Sequence, residues 1–172
     1  MTLTKERAVY DQTDFAAAFD EHHRALHRLA FLLCSDRTRA EDLVAEAFAR
    51  VYPRWRKGGI EDLGPYLRQA VVNQARGRWR RKALEDREEA RQTGDGRGGR
   101  LFDDTAVDRD ELRVALASLP IKQRTAIVLR YFEDCTEAET ARLMETSVGT
   151  VKSQVSRGLD RLKGVLEDGR KS

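Results

Sequence analysis

Apolar residues recur at steps of three and four along most of this chain, and the lapses in that pattern divide it. From Asp14, read as a capping residue, Phe15, Ala18, Phe19, Leu26, Leu29, Ala30 and Leu33 share one face, which predicts a long helix to about Cys34. Ser35-Asp36 reads as a break and a fresh cap. The next helix, Arg39 to about Tyr52, presents Leu43, Ala47, Phe48 and Val51 on one side. Pro53 to Gly59 reads as a turn region. Gly64-Pro65 then opens a helix over Tyr66 to about Lys82, with proline where its missing N–H costs nothing. From Ala83 to Asp110 the periodicity lapses, and acidic residues surround the Gly-rich TGDGRGG, so an extended or partly disordered tether is expected. Leu112, Ala115, Leu116 and Leu119 restart the pattern until Leu119-Pro120, where proline disfavours a helical residue before it. Ile121 to Phe132 follows, with Ile127, Val128, Tyr131 and Phe132 as an apolar platform. The expected fold is all-α: two small helical domains, 12–82 and 111–168, joined by a flexible linker over 83–110. The first residues, to about position twelve, are expected to fray, and the tail after Asp168 to lack structure.

The last two helices carry the most specific local signals. Thr136 followed by Glu139 has capping-box spacing, so a helix should start there and carry Ala141, Leu143 and Met144. It should stop near Glu145-Thr146-Ser147, with Ser147 as the cap of another helix. Two helices separated by a turn of about three residues form a helix-turn-helix. In the second, Val148, Val151, Val155, Leu159, Leu162 and Leu166 form the stripe expected to pack inward. Gly149, Thr150, Ser153, Arg157 and Asp160 then lie opposite, flanked by Lys152 and Ser156. Small residues, hydroxyls and cations on one face suit close approach to a DNA groove. The same periodicity is also met by an ordinary amphipathic hairpin with a solvated polar face.

Charge adds little in total and more in its distribution. The 172 residues carry a formal net charge of +3 with 35% charged residues, which suits a soluble, helix-rich chain. The run Arg76, Arg78, Trp79, Arg80, Arg81 and Lys82 packs five cations and a tryptophan into seven positions. Helix C-termini favour cations, but a run this dense also suits stacking of unpaired bases and neutralisation of phosphates. Asp42, Glu46 and Arg50, at successive steps of four, read by themselves as a solvated face held by ion pairs. His23 and His27 stand four apart, yet only Cys34 is near as a further ligand, so surface or partly buried histidines are the expectation and no metal site. Cys34 and Cys135 belong to no CxxC and are expected as reduced thiols. No apolar run reaches about eighteen residues and the N-terminus lacks a signal-peptide core, so a cytoplasmic location is expected. No phosphate-binding loop, HExxH or GxSxG is present, which argues against an enzyme.

The order of residues goes further. TSVGTVKSQVSRGLDRL, with the preceding LPIKQRTAIVLRYFEDCTEAETARL, closely resembles the C-terminal promoter-reading domain of bacterial sigma factors of the extracytoplasmic-function group, especially the actinobacterial sigma-E-like branch. AEDLVAEAFARVYPRW resembles the sigma segment that docks on the clamp helices of core RNA polymerase. YLRQAVVNQARGRWRRK resembles the segment that melts and reads the minus-10 element. The resemblance implies a sigma-70-class factor that binds core RNA polymerase, through the β′ clamp helices and the β flap, and promoter DNA. It leaves an anti-sigma partner open, and implies a free monomer with no membrane partner and no cofactor. By residue, it directs Asp42, Glu46 and Phe48 at polymerase, Phe48 as buried support. Asn73 aligns with the asparagine lining the pocket for a flipped base, and Arg76, Arg78, Trp79, Arg80 and Arg81 belong to the same minus-10 run. Thr150, Lys152, Ser153, Ser156 and Arg157 are directed at the minus-35 duplex. Ala45 departs from a frequent Gln, Gly77 from a polar contact residue and Cys135 from an aliphatic. Glu145 replaces a common Gly, and a turn made without glycine is expected to keep φ negative there. Two rivals are a dimeric operator-binding helix-turn-helix regulator and a helical protein-interaction module with a solvated basic run.

Overall fold

The computed structural model describes residues 12–93 and 111–169, and every element among them is helical. The N-terminal domain is built from α1 (Gln12–Cys34), α2 (Arg37–Arg56) and α3 (Leu63–Thr93). The C-terminal domain follows with α4 (Glu111–Ser118), α5 (Ile121–Ile127), a π-helical turn (Val128–Phe132), α6 (Glu137–Met144) and α7 (Val148–Gly169). The expected all-α architecture is therefore present.

Several boundaries differ from those the pattern predicts. Helix α1 begins by Gln12, so Asp14 lies in its first turn rather than at the cap, where a carboxylate still meets the positive end of the dipole. Helix α2 starts at Arg37, capped by the Asp36 carboxylate, which accepts from the Arg39 N–H at 2.9 Å. It continues through Pro53 to Arg56 instead of ending at Tyr52. Proline removes one backbone bond there, but Trp55 is buried and its ring lies near Phe15 and Tyr52, so burial of the last turn offsets the loss. The chain reverses only at Gly58, whose φ of 68° needs glycine. Helix α3 likewise does not stop at Lys82. Positions 80–93 contain neither glycine nor proline and are rich in Arg, Lys, Glu, Ala and Leu, so propensity sustains the helix without an apolar stripe. The remainder of the expected tether, 94–110, lies outside the described residues, as do 1–11 and 170–172.

Leu29, Leu33, Leu43, Val44, Leu67, Val71 and Val72 fill the N-terminal core. That core is continuous with Ala126, Val128, Leu129, Leu143, Met144 and Val151 of the second domain, so α1 and α3 pack directly against it. A smaller cluster joins Ala115, Leu116, Leu119, Ile127 and Leu162, binding α4 and α5 to α7. The π turn decides the orientation of the platform. Glu133 N–H bonds to Val128 C=O at 3.1 Å, and the wider turn leaves Val128 and Leu129 inside but turns Tyr131 out, 56% exposed. Tyr131 is therefore not part of the apolar platform. Phe132 is half-buried against both clusters.

Candidate nucleic-acid interface

The helix-turn-helix is built from its caps. Thr136 Oγ1 accepts from the Glu139 N–H at 3.1 Å, and the Glu139 carboxylate accepts from the Thr136 N–H at 2.7 Å, a complete capping box. These bonds to the ionised form hold the Glu139 carboxyl below its usual range. Ser147 caps α7, accepting from the Thr150 N–H at 3.1 Å. Between them Glu145 takes φ 52° and ψ 52°, not the negative φ expected of a turn without glycine. The reason is the helix end: in the left-handed conformation the Glu145 and Thr146 N–H groups reach Arg142 C=O at 3.1 Å and Ala141 C=O at 2.9 Å. Those two bonds offset a left-handed cost of about 1–2 kcal/mol.

Helix α7 packs along Val151, Val155, Gly158, Leu162 and Leu166, a stripe displaced from the expected one. Val148 and Leu159 are 38% and 40% exposed. Gly158 causes the shift, because a Cβ there would stand 2.6 Å from Ile127 Cδ1 and 3.2 Å from Gln123 Cβ. The absent side chain brings α7 onto α5 and turns Ser156 and Arg157 to solvent. Lys152 is also exposed and reaches Glu137 Oε2 of α6 at 3.4 Å. Thr150 and Ser153 are half-buried and bonded locally, Thr150 Oγ1 to Ser147 Oγ at 2.9 Å and Ser153 Oγ to Thr150 C=O at 2.9 Å.

The basic run of α3 is differently placed. Arg80 and Arg81 are exposed, but Arg78 turns toward α2 and pairs with Glu46 and, at 4.0 Å, with Asp42. Asp42 and Glu46 stand on the open face of α2, and Phe48 lies beneath, buried. Trp79 is half-buried beside a pocket of about 190 Å³ that Cys34, Leu43 and Ala75 also line, with Arg39, Arg78 and Lys82 around it. Arg76 Nη1 meets Glu145 Oε2 of the turn at 3.4 Å. Asn73 Oδ1 accepts from Gln69 Nε2 at 2.9 Å, and the same nitrogen donates to Leu143 C=O of α6 at 3.0 Å. The minus-10 candidates thus share one helix but divide into an exposed pair, Arg80 and Arg81, and a partly buried set in which Asn73 is bonded within α3 and Arg76 and Arg78 pair with other elements. Gly158, Gln69 and the buried Arg124 escaped the sequence reading. Gly158 alone had a signal there, since it sits at helical spacing from Val151, Val155 and Leu162. His23 and His27 have ring centroids 6.0 Å apart, and no group of three metal-ligating side chains occurs among the described residues.

Family comparisons match this layout. The sigma-70 region 2 family matches residues 18–85, and the sigma-70 region 4 family matches 109–162. An RNA polymerase sigma-E factor of Streptomyces antibioticus is 39% identical over 140 residues, covering 78% of this chain and 74% of the relative. The chain belongs to the extracytoplasmic-function group of sigma-70 RNA polymerase sigma factors. An ECF RNA polymerase sigma factor, SigE of Mycolicibacterium smegmatis, is 31% identical across 92% of this chain and 66% of its own length. Among solved structures, the sigma factor RpoE of Bartonella quintana, determined with the anti-sigma factor NepR, superposes with a TM-score of 0.68 at 24% identity. It covers 90% of this chain and 98% of that one, and shows the shared fold. Sigma factors act in promoter-specific transcription initiation and are not enzymes. No described helix is long and apolar enough to cross a membrane.

Proposed function

We propose that this sigma factor reads promoters in two parts, a minus-35 duplex through α7 and a melted minus-10 strand through α3, while α2 docks on core polymerase. The observation that carries the reading is the outward polar face of α7, with Lys152, Ser156 and Arg157 exposed on a helix that Gly158 seats against α5. A helix carried this way presents cations and hydroxyls to a major groove. Thr150 and Ser153 stand at the edge of that face and contact backbone or sugar rather than reach deep into the groove. In α3, Asn73 captures an unpaired base, Trp79 and its pocket offer a stacking surface, and Arg76, Arg80 and Arg81 neutralise phosphates. Arg78 lies on the polymerase side of the helix. Asp42 and Glu46 meet the β′ clamp helices with Phe48 supporting them from the core, and the C-terminal domain meets the β flap. An anti-sigma partner, as in the Bartonella complex, belongs to the same reading. In functional terms residues 12–82 form the polymerase and minus-10 domain, and 111–168 the minus-35 domain.

The test is transcription from fragmented genomic DNA by purified core polymerase with and without the protein, mapping RNA 5′ ends. New starts sharing two spaced upstream motifs are expected. A protein that binds operator duplex tightly without polymerase, and directs no new starts, would instead be a stand-alone regulator.

A further inference from the structure

Helix α3 has two different sides. Ala75 lies roughly 200° around the helix from Asn73, and Ala75, Arg78, Trp79 and Lys82 stand at spacings of three and four. This side meets the place where α1 ends and α2 begins, and the pocket of about 190 Å³ lies between the three helices. Cys34, Leu43 and Ala75 are buried, so its floor is apolar. Burial pushes the Cys34 thiol up, and Cys34 Sγ donates to Asp36 C=O at 3.2 Å, so the floor carries no charge at neutral pH. The Arg124 guanidinium lies over the Trp79 ring, 5.4 Å from its centroid, and covers one side of it, while Trp79 also lines the pocket.

The rest of the lining is positive. Arg39, Arg78 and Lys82 complete it, and among the described residues no carboxylate lines it. The carboxylates that pair with these cations stand outside the pocket: Arg39 Nε meets Asp36 Oδ2 at 3.4 Å, and Arg78 pairs with Glu46 and Asp42. Asp42 and Glu46 are more than half exposed, so water screens those pairs and an entering anion replaces them at small cost. An apolar floor, an aromatic wall and convergent cations together suit a small amphipathic anion. The volume lies below the roughly 300–1,000 Å³ of sites for drug-sized ligands, which limits the occupant to a small ring system bearing its charge directly. We propose that this pocket binds a small aryl anion, a carboxylate, sulfonate or phosphate on one or two fused rings, with the rings among Leu43, Ala75 and Trp79 and the charge on Arg78 and Lys82. The site needs neither DNA nor polymerase, so it does not rest on the reading of α3 given above. When filled, it draws Arg78 away from Asp42 and Glu46 and thereby couples the ligand to the carboxylate face of α2.

Titration of the ¹⁵N-labelled full chain with 2-naphthalenesulfonate, followed by NMR, tests this. The chain has two tryptophans and hence two indole N–H signals, which Trp79→Phe assigns. Trp55 is buried near the other end of α2, roughly 24 Å along the helix from Arg39, and serves as an internal reference. The Trp79 signal should shift and saturate with a Kd of about 1 mM or below, while Trp55 stays still. Sodium sulfate, which has the charge alone, and 2-naphthol, which has the rings alone, should each bind at least about tenfold more weakly. Thymidine 5′-monophosphate, whose sugar separates ring from phosphate, should also be the weaker ligand; a preference for it would make the pocket part of the strand-reading surface and overturn the proposal. Lys82→Glu should weaken the probe about tenfold with helical circular dichroism unchanged. Ala75→Leu should fill the floor and abolish binding, and Lys82→Glu decides the matter if that core variant fails to fold. Glu46→Gln should tighten the probe about threefold, because it frees Arg78, and an unchanged affinity there would sink the coupling to α2. The site itself is refuted by equal shifts at both indoles, by no saturable shift at Trp79, by sulfate or 2-naphthol binding as well as the probe, or by affinity that Lys82→Glu leaves untouched.

Discussion

Helices α3 and α7 each bring cations to a surface, but they hold them in opposite ways. On α7 a glycine does the positioning: Gly158 lets the helix sink against α5, and the polar side is left facing solvent, with Lys152 paired to Glu137 of α6. On α3 other charges do it. Arg76 is held by Glu145, Arg78 by Glu46 and Asp42, and Trp79 lies beneath Arg124. A surface fixed by close packing is ready for its ligand, whereas one fixed by ion pairs must exchange partners before it binds. Under the proposed reading the two ligands differ in the same sense, since the duplex for α7 exists beforehand and the strand for α3 appears only after melting.

The contrast breaks most sharply at Gly158. Gly158→Leu drives a side chain into Ile127 and Gln123 and should destabilise the C-terminal domain by about 3 kcal/mol, read from urea unfolding. Duplex binding should fall with it while the α3 surface keeps its cations. Unchanged stability would mean that α7 is not seated as described.

Next in size is the difference between reading and neutralising. Arg157→Ala should cost about 1–3 kcal/mol at one minus-35 base pair if Arg157 contacts a base, measured by binding to a set of single-site promoter variants. Arg80→Ala, exposed on α3, should weaken polymerase-dependent promoter binding evenly over sequences and lower the salt slope by about 1. Equal and uniform losses at both positions would reduce α7 to a phosphate clamp.

How much of this was legible from residue order varies with the kind of force. The helix-turn-helix was, because Thr136, Glu139 and Ser147 act within one turn of themselves and need no tertiary partner. The inward stripe of α7 was only half legible: apolar spacing includes Val148 and Leu159, and what excludes them is the approach of α5 at Gly158. Tyr131 was misjudged for a related reason, since a π turn changes the period that the pattern assumes. The reach of α3 beyond Lys82 is propensity without periodicity, and a search for apolar stripes passes over it. Arg124 and Glu133 carry no apolar-pattern signal, and part of what holds them, Leu33 C=O for Arg124 and Arg68 for Glu133, lies in the other domain.

The capping box offers a smaller, cleaner probe of the α7 side. Thr136→Ala should cost about 1 kcal/mol. Because Glu139 has its carboxyl depressed by the Thr136 backbone bond first and the hydroxyl bond second, its contribution is present above the ordinary glutamate pKa of 4.5 and fades as pH falls through the lowered value. The wild-type domain should therefore lose stability in that acid window, and Thr136→Ala should flatten part of the loss. Parallel pH profiles would show that the box does not govern the helix.

The smallest effect tests whether ion pairing on α3 competes with function. Arg78 is about one-third exposed and bridges to two carboxylates that are more than half exposed, so the pairs themselves contribute at most about 1 kcal/mol to folding. Arg78→Ala should leave the unfolding midpoint nearly unchanged. If Asp42 and Glu46 meet basic groups on the clamp helices, Arg78 is their rival, and its removal should tighten binding to core polymerase by up to about fivefold at low salt, with the gain shrinking as salt screens both contacts. A loss of core affinity would instead make Arg78 an organiser that presents the two carboxylates in the right rotamers. Arg78→Lys separates these outcomes: a rival is still a rival as lysine, whereas an organiser that depends on the planar fork is not replaced.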